Sequence, residues 1–120
     1  MVRGICCLVP GIQEQSENIE ITSIVDRFLE HGRVYIFCNA GKEKMYTGSA
    51  DWMTRNLDHR IEVITPILDQ DIHKRLKTLL ELQLNDSVKS RIINAKQNNK
   101  YVKKNAIEES SQHLIYKYLS

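Results

Sequence analysis

The first half of the chain carries the pattern of short β-strands. Apolar runs and alternating apolar and polar positions, bounded by Gly, Pro or Asn, are typical of strands. They predict strands over residues 4–9, 19–24, 33–38, 45–49 and 60–64. The first run is continuously apolar, which predicts a strand buried on both faces. Residues 19–30 also fit one amphipathic helix, but we expect a strand that passes into a helical turn.

The second half carries helical patterns. Residues 69–84 place Ile or Leu on one face at helical spacing, and Asp69 stands where an N-cap is expected. A helical turn within residues 51–57, a short strand over 89–93 and a last helix over 106–119 complete the pattern. Strands followed by helices favour an α/β or α+β domain, with helices flanking one mixed sheet.

Length and composition indicate a single soluble domain. The chain has 120 residues, of which 42% are apolar and 27% charged. No apolar run approaches the roughly 20 residues of a membrane-spanning helix. The net charge is +2, from 17 basic and 15 acidic side chains, which gives no indication of a nucleic-acid-binding protein.

The cysteines and the N-terminus indicate a cytoplasmic protein. Cys6, Cys7 and Cys38 have neither a disulfide spacing nor a zinc spacing, so we expect reduced thiols used as small core residues. No secretory signal precedes the first predicted strand. A buried strand that begins so near the first residue suggests a domain taken from a longer protein.

Candidate chemistry lies at the ends of the predicted strands. His31 precedes the clearest strand, where a histidine can transfer protons, although the position also suits an ordinary surface histidine. Four arginines at strand ends or in the loop between them could form a phosphate pocket, or could be independently solvated. They are Arg3, Arg33, Arg55 and Arg60.

Three further features are weaker indications of ligand binding. The Gly48-Ser49 turn could bring backbone amides close to a ligand, although such a pair is usually only a turn. Trp52 could stack on a base, and a structural anchor is the favoured alternative. The basic run from Lys96 to Lys104 fits a solvated face or a flap over a polyanion. The histidines have no metal-ligand spacing.

Several blocks of the sequence resemble the last domain of bacterial polyphosphate kinases. The blocks span residues 3–11, 16–19, 23–31, 33–37, 48–58 and 60–63, and the similarity extends to about Tyr101. The resemblance implies a phospholipase D-like α/β domain of a longer cytoplasmic enzyme. Such enzymes reversibly transfer the terminal phosphate of ATP to inorganic polyphosphate. They use Mg²⁺ and form homo-oligomers that sometimes associate with membranes.

The resemblance also assigns residue roles. The phosphorylated histidine of these enzymes lies in the preceding domain, so His31 matches their second histidine, a general acid or base. Arg3 and Arg60 match the arginines that bind the phosphates of ATP or polyphosphate. The Mg²⁺ ligands are expected largely outside this chain. Lacking the nucleophile, the chain alone is expected to be inactive.

Departures from the phospholipase D pattern leave two alternatives. That pattern has His-x-Lys followed by Asp, whereas this chain has His31-Gly32-Arg33, with Cys38-Asn39 where the Asp would be sought. Phosphodiester cleavage is therefore poorly supported. The alternatives are an isolated polyanion-binding module without activity and a phosphodiesterase half-site that works as a homodimer.

Overall fold

The computed structural model describes residues 1–103 and 108–120, which form two compact units. One unit comprises Met1–Leu29 together with Thr78–Ser120, and the other comprises Glu30–Lys77. The strands are β1 (Ile21–Ile24), β2 (Val34–Phe37), β3 (Lys44–Gly48), β4 (Ile64–Pro66) and β5 (Ser90–Ile93). The helices are α1 (Thr54–His59), α2 (Gln70–Leu84) and α3 (Ser111–Leu119), with a 3₁₀ turn at Asn39–Gly41.

The unit formed by Glu30–Lys77 contains a three-stranded antiparallel sheet in the order β2-β3-β4. The hairpin predicted between residues 33 and 49 is confirmed, with Tyr35 paired to Tyr46. The strand predicted over 60–64 lies further along the chain, at Ile64–Pro66. Pro66 is compatible with this strand because β4 is an edge strand, where one side of the backbone needs no partner.

The other unit contains a two-stranded antiparallel sheet, β1 with β5. Ile21, Ile24 and Val102 are buried and form its small apolar core. The α/β class is thus confirmed, although the described strands form two small antiparallel sheets rather than one mixed sheet. No helix among the described residues has the length and apolar character needed to cross a membrane.

The buried strand predicted over residues 4–9 is wrong. This segment forms no strand, and Ile5 is 81% exposed. Its neighbourhood is a loop, in which the Ser16 hydroxyl donates to the Val9 carbonyl over 2.6 Å and accepts from the Ile12 N–H. An apolar run becomes a buried strand only where strands pair with it, and no described strand pairs with this one.

The cysteines differ in part from expectation. All three are free thiols, as predicted. Their predicted role as core residues is wrong, because Cys7 and Cys38 are exposed and Cys6 is only partly buried. Cys6 and Cys7 belong to the exposed loop at the N-terminus, and Cys38 follows β2 where the chain leaves the sheet.

The helix predicted from Asp69 is confirmed, including its cap. One carboxylate oxygen of Asp69 accepts from the N–H groups of Asp71 and Ile72, both over 2.9 Å. The helical turn predicted after β1 does not form, since residues 25–30 contain no helix. The start of the last predicted helix, at Ala106 and Ile107, lies outside the described residues.

Candidate functional site: a histidine held by an arginine and an aspartate

His31 lies just before β2, is exposed, and is held by Arg33. The Arg33 Nη2 atom lies 2.9 Å from the Nε2 atom of the His31 ring, and Nη1 donates to the His31 carbonyl over 3.3 Å. Residues two apart in an extended segment point to the same side, which brings these two side chains together. One guanidinium therefore holds both the ring and the backbone of His31.

Asp51 anchors the same guanidinium. Its Oδ1 accepts from Arg33 Nε over 2.8 Å, and the Arg33 side chain is only 18% exposed. This hydrogen bond holds the pKa of Asp51 below its ordinary value, aided by the positive charges of Arg33 and Arg55. The hydrogen bond to Asp51 likewise raises the pKa of Arg33, so the guanidinium stays charged.

A second carboxylate, Glu62, ties together the segments beside this pair. It accepts from the Ser49 hydroxyl through Oε2 and from Asn56 Nδ2 through Oε1, the latter over 2.7 Å. These hydrogen bonds lower the pKa of Glu62, and the charges of Arg60 and Arg33 lower it further. The buried Asn56 thereby joins helix α1 to the segment that leads into β4.

The Gly48-Ser49 turn has a structural role in this network. The Gly48 N–H donates to the Arg33 carbonyl over 3.2 Å, and the Ser49 N–H donates to the Val63 carbonyl over 3.0 Å. Both amides are therefore occupied within the chain. The structure agrees with the ordinary turn that the sequence analysis favours over a ligand contact, because β3 pairs with a neighbour on each side at this point.

The arginines predicted to bind phosphate lie in different units. Arg60 is exposed at the C-terminus of α1, in the same unit as His31, and its charge acts on Glu62. Arg55 lies in the same helix, and its charge acts on Asp51. Arg3 is exposed in the N-terminal segment of the other unit. Within the unit that holds His31, Arg33 and Arg55 thus act on Asp51, and Arg33 and Arg60 act on Glu62.

An open, mostly apolar depression of about 760 Å³ lies on the β2–β3 sheet. Trp52 lines it and stacks on Tyr35, with ring centroids 6.0 Å apart and planes 15° apart. The Tyr35 hydroxyl donates to the Ala50 carbonyl over 3.0 Å. Trp52 is 76% exposed, so it packs against Tyr35 with one face of its ring and leaves most of its surface open.

The basic run after β5 is partly organised by Arg91. Its guanidinium lies 3.8 Å from the centre of the Tyr101 ring and donates to the Tyr101 hydroxyl over 2.5 Å. Lys96, Lys100 and Lys103 are exposed. Lys104, which completes the predicted run, lies outside the described residues.

The described residues do not offer a magnesium site. They contain no group of three or more His, Cys, Asp or Glu side chains placed to hold a metal ion. Two carboxylates in the same unit as His31 are already engaged, Asp51 by Arg33 and Glu62 by Ser49 and Asn56. Oxygen ligands for Mg²⁺ would have to be released from these bonds first.

Comparison with known proteins identifies the family. The family model of the polyphosphate kinase C-terminal domain 2 matches residues 1–113. The chain belongs to this family. It is 49% identical over 120 residues to a polyphosphate kinase of Yersinia pestis and 48% identical to one of Escherichia coli K12, covering 99% of this chain in both cases. It spans 18% and 17% of the length of these two relatives.

A solved structure shows the same fold. The crystal structure of polyphosphate kinase from Porphyromonas gingivalis matches 97% of this chain and 18% of its own, with a TM-score of 0.86 and 47% identity. The expected resemblance to the polyphosphate kinase family and the phospholipase D-like fold are therefore confirmed.

Sequence reasoning missed the partners of His31. The sequence pattern groups Arg33 with the other arginines at strand ends, although its spacing of two from His31 indicates a shared side. Asp51, Asn56 and Glu62 carry no such local signal. They are brought together by the pairing of β3 with β2 and β4, which the sequence pattern alone does not specify.

Proposed function

We propose that this chain forms part of the catalytic site of a polyphosphate kinase, which reversibly transfers the terminal phosphate of ATP to inorganic polyphosphate. Family membership supports the enzyme class. The observation that carries the site is the exposed His31 ring, held by Arg33 among further basic side chains. Phosphoryl transfer needs positive charge around the phosphate oxygens and a group that manages the proton of the attacking or departing oxygen.

The proposed reaction has two transfers that use a histidine outside this chain. In the first, the bond between the γ-phosphorus of ATP and its bridging oxygen breaks, the phosphoryl group joins that histidine, and ADP departs. In the second, the terminal oxygen of polyphosphate takes the phosphoryl group and frees the histidine. His31 acts at the departing and attacking oxygens as general acid or base.

Arg60 and Arg3 supply the positive charge in this scheme. Each bears an exposed guanidinium, which can bind two phosphate oxygens in a fork. Mg²⁺, if bound with the nucleotide, would be held largely by the phosphates and by residues outside this chain, and would neutralise phosphate charge there. The full-length enzyme is a homo-oligomer of the cytoplasm, which can also associate with membrane surfaces.

Activity of a full-length enzyme tests the role of His31. A chimaeric kinase is made by replacing the matching 120 residues of the Escherichia coli relative with this sequence. We expect His31→Ala to lower kcat for polyphosphate synthesis by roughly 10²- to 10⁴-fold, the range for loss of a general acid or base. His113→Ala, which removes an exposed histidine of helix α3, is the matched control and leaves kcat unchanged.

Two results would contradict the proposal. Synthesis by the His31→Ala chimaera at the rate of the unchanged chimaera would remove His31 from the mechanism. Steady ATP-dependent synthesis by the isolated 120-residue chain would show that the nucleophile is not in another domain. Polyphosphate binding by the isolated chain without turnover is the expected result.

A further inference from the structure

We propose that Arg33, anchored by Asp51, is a positioning residue that selects the tautomer of His31 and turns its Nδ1–H toward the phosphate. This inference depends on the proposed function only in naming phosphate as the group that the Nδ1–H faces. The tautomer itself follows from the contacts of His31 and Arg33.

The argument begins with the chemistry of the two side chains. Arginine carries five N–H donors and no acceptor, and it stays protonated in proteins. The 2.9 Å contact between Arg33 Nη2 and His31 Nε2 is therefore a hydrogen bond only when Nε2 is the acceptor. A neutral imidazole that accepts through Nε2 carries its proton on Nδ1. Free histidine favours the opposite tautomer, so Arg33 reverses the intrinsic preference.

The guanidinium is well fixed for this task. Its Nε donates to Asp51 over 2.8 Å, which leaves both Nη groups directed at His31. The Arg33 backbone is also held, since its carbonyl accepts from the Gly48 N–H and from the Thr47 hydroxyl over 3.0 Å. Arg33 is thus fixed at both ends, with one Nη group on the His31 ring and the other on the His31 carbonyl.

This arrangement has a consequence for proton transfer. With Nε2 occupied, the resting His31 offers phosphate a hydrogen bond from Nδ1–H. Complete release of that proton from a neutral ring would leave an imidazolate, so Nε2 of the exposed ring must first take a proton from solvent water, which leaves hydroxide to the buffer. A protonated Nε2 cannot accept from Arg33, so gain of that proton and loss of the Arg33 bond are one event. Formation of the doubly protonated, acidic form of His31 therefore requires the hydrogen bond from Arg33 to His31 Nε2 to break.

Nitrogen NMR of the 120-residue chain tests the tautomer directly. Ring ¹⁵N chemical shifts separate an N–H nitrogen from an unprotonated one, and the spectra are recorded at pH 9, where histidine side chains in general are neutral. We expect His31 to be mainly the Nδ1–H tautomer in the unchanged chain. Arg33→Met, which keeps an unbranched stem but removes every donor, should convert it mainly to Nε2–H. Arg33→Lys, which keeps a charged donor, should give a mixture of the two.

Two further variants separate anchoring from charge. Asp51→Ala should move the tautomer part of the way toward Nε2–H, because it frees Arg33 without removing it. Arg75→Met removes an exposed arginine of helix α2 and should leave the His31 shifts unchanged. Dispersion of the backbone amide spectrum shows that each variant is folded, and Arg33→Lys serves if Arg33→Met is not.

Three results would overturn the proposal. The first is the Nε2–H tautomer in the unchanged chain, the second is no change of tautomer in Arg33→Met, and the third is no change of tautomer in Asp51→Ala.

An activity assay then separates this inference from the proposed function. In the chimaeric kinase, Arg33→Met should lower kcat more than it alters KM, by up to roughly 10⁴-fold, as when a catalytic histidine is held in the wrong tautomer. Combined with His31→Ala it should cause little further loss. Full activity of His31→Ala would refute the proposed function and leave the NMR result standing.

Discussion

Asp86 accepts the backbone N–H of Ser111 through Oδ2 over 2.7 Å, across 25 residues of sequence. Its other oxygen accepts from the N–H groups of Val88, Lys89 and Ser90. Asp86 is only 2% exposed and Ser111 is fully buried. One buried carboxylate therefore fixes both the turn that leads into β5 and the first residue of helix α3.

We expect replacement of Asp86 to destabilise the chain in proportion to the bonds lost. Asp86→Ala leaves four backbone donors without their acceptor and should lower the free energy of unfolding by about 2–3 kcal/mol. Asp86→Asn can keep the three bonds of the turn but turns its amide N–H₂ toward Ser111, so its loss should be smaller. Urea unfolding measures both. Equal stability of Asp86→Ala and the unchanged chain would contradict this role.

The same carboxylate predicts a pH dependence. Burial alone would raise the pKa of Asp86, but the hydrogen bonds from Ser111, Lys89 and Ser90 outweigh it and lower the pKa. A lowered pKa means that the charged form stabilises the fold. This stabilisation is complete above the unfolded value, about 3.9, and is lost as the pH falls through the lower folded value. Unfolding free energies measured between pH 6 and 2 should therefore fall less in Asp86→Asn than in the unchanged chain. Parallel curves would exclude Asp86 as a source of this acid sensitivity.

Elements set by local signals were predictable from the sequence, and elements set by distant partners were not. The β2–β3 hairpin and the Asp69 cap follow from alternation, turn residues and a side-chain oxygen within three positions of its donors. The run at residues 4–9 has the composition of a buried strand, but its burial depends on what lies across from it. Composition therefore could not exclude the exposed loop that the structure shows.

The contacts of the candidate site were likewise predictable only where they depend on local sequence spacing. The meeting of His31 and Arg33 needs only a spacing of two in an extended segment, and so was within reach of the sequence. Asp51 is 18 residues from Arg33 and reaches it through the sheet register. The contacts of Glu62 with Ser49 and Asn56 similarly require β3, α1 and the approach to β4 to come together.

Gly48 is expected to be essential to the sheet that supports the site. A Cβ at this position would lie 2.8 Å from the Val63 carbonyl oxygen and 3.0 Å from Ile64 Cγ1, closer than packing allows. Gly48→Ala should push β3 from β4 and lower the free energy of unfolding by about 1–3 kcal/mol. Gly32→Ala is the matched control, because a Cβ there meets nothing within 4 Å. Thermal unfolding compares the two. A Gly48→Ala midpoint equal to that of Gly32→Ala would show that the sheet yields without cost.

Polyphosphate binding should depend on particular arginines rather than on total charge. Titration of the chain with long-chain polyphosphate measures this, with Arg3→Ala and Arg60→Ala compared with the exposed helical control Arg75→Ala. Losing one forked contact to phosphate should weaken binding by roughly tenfold or more, since hydrogen bonds to charged groups contribute about 1.5–3 kcal/mol. All three variants remove one positive charge, so a diffuse attraction would weaken equally in each and fade with salt. A larger loss in Arg3→Ala and Arg60→Ala than in Arg75→Ala would support a phosphate site in this domain. Equal losses would mean that neither arginine belongs to a specific phosphate site.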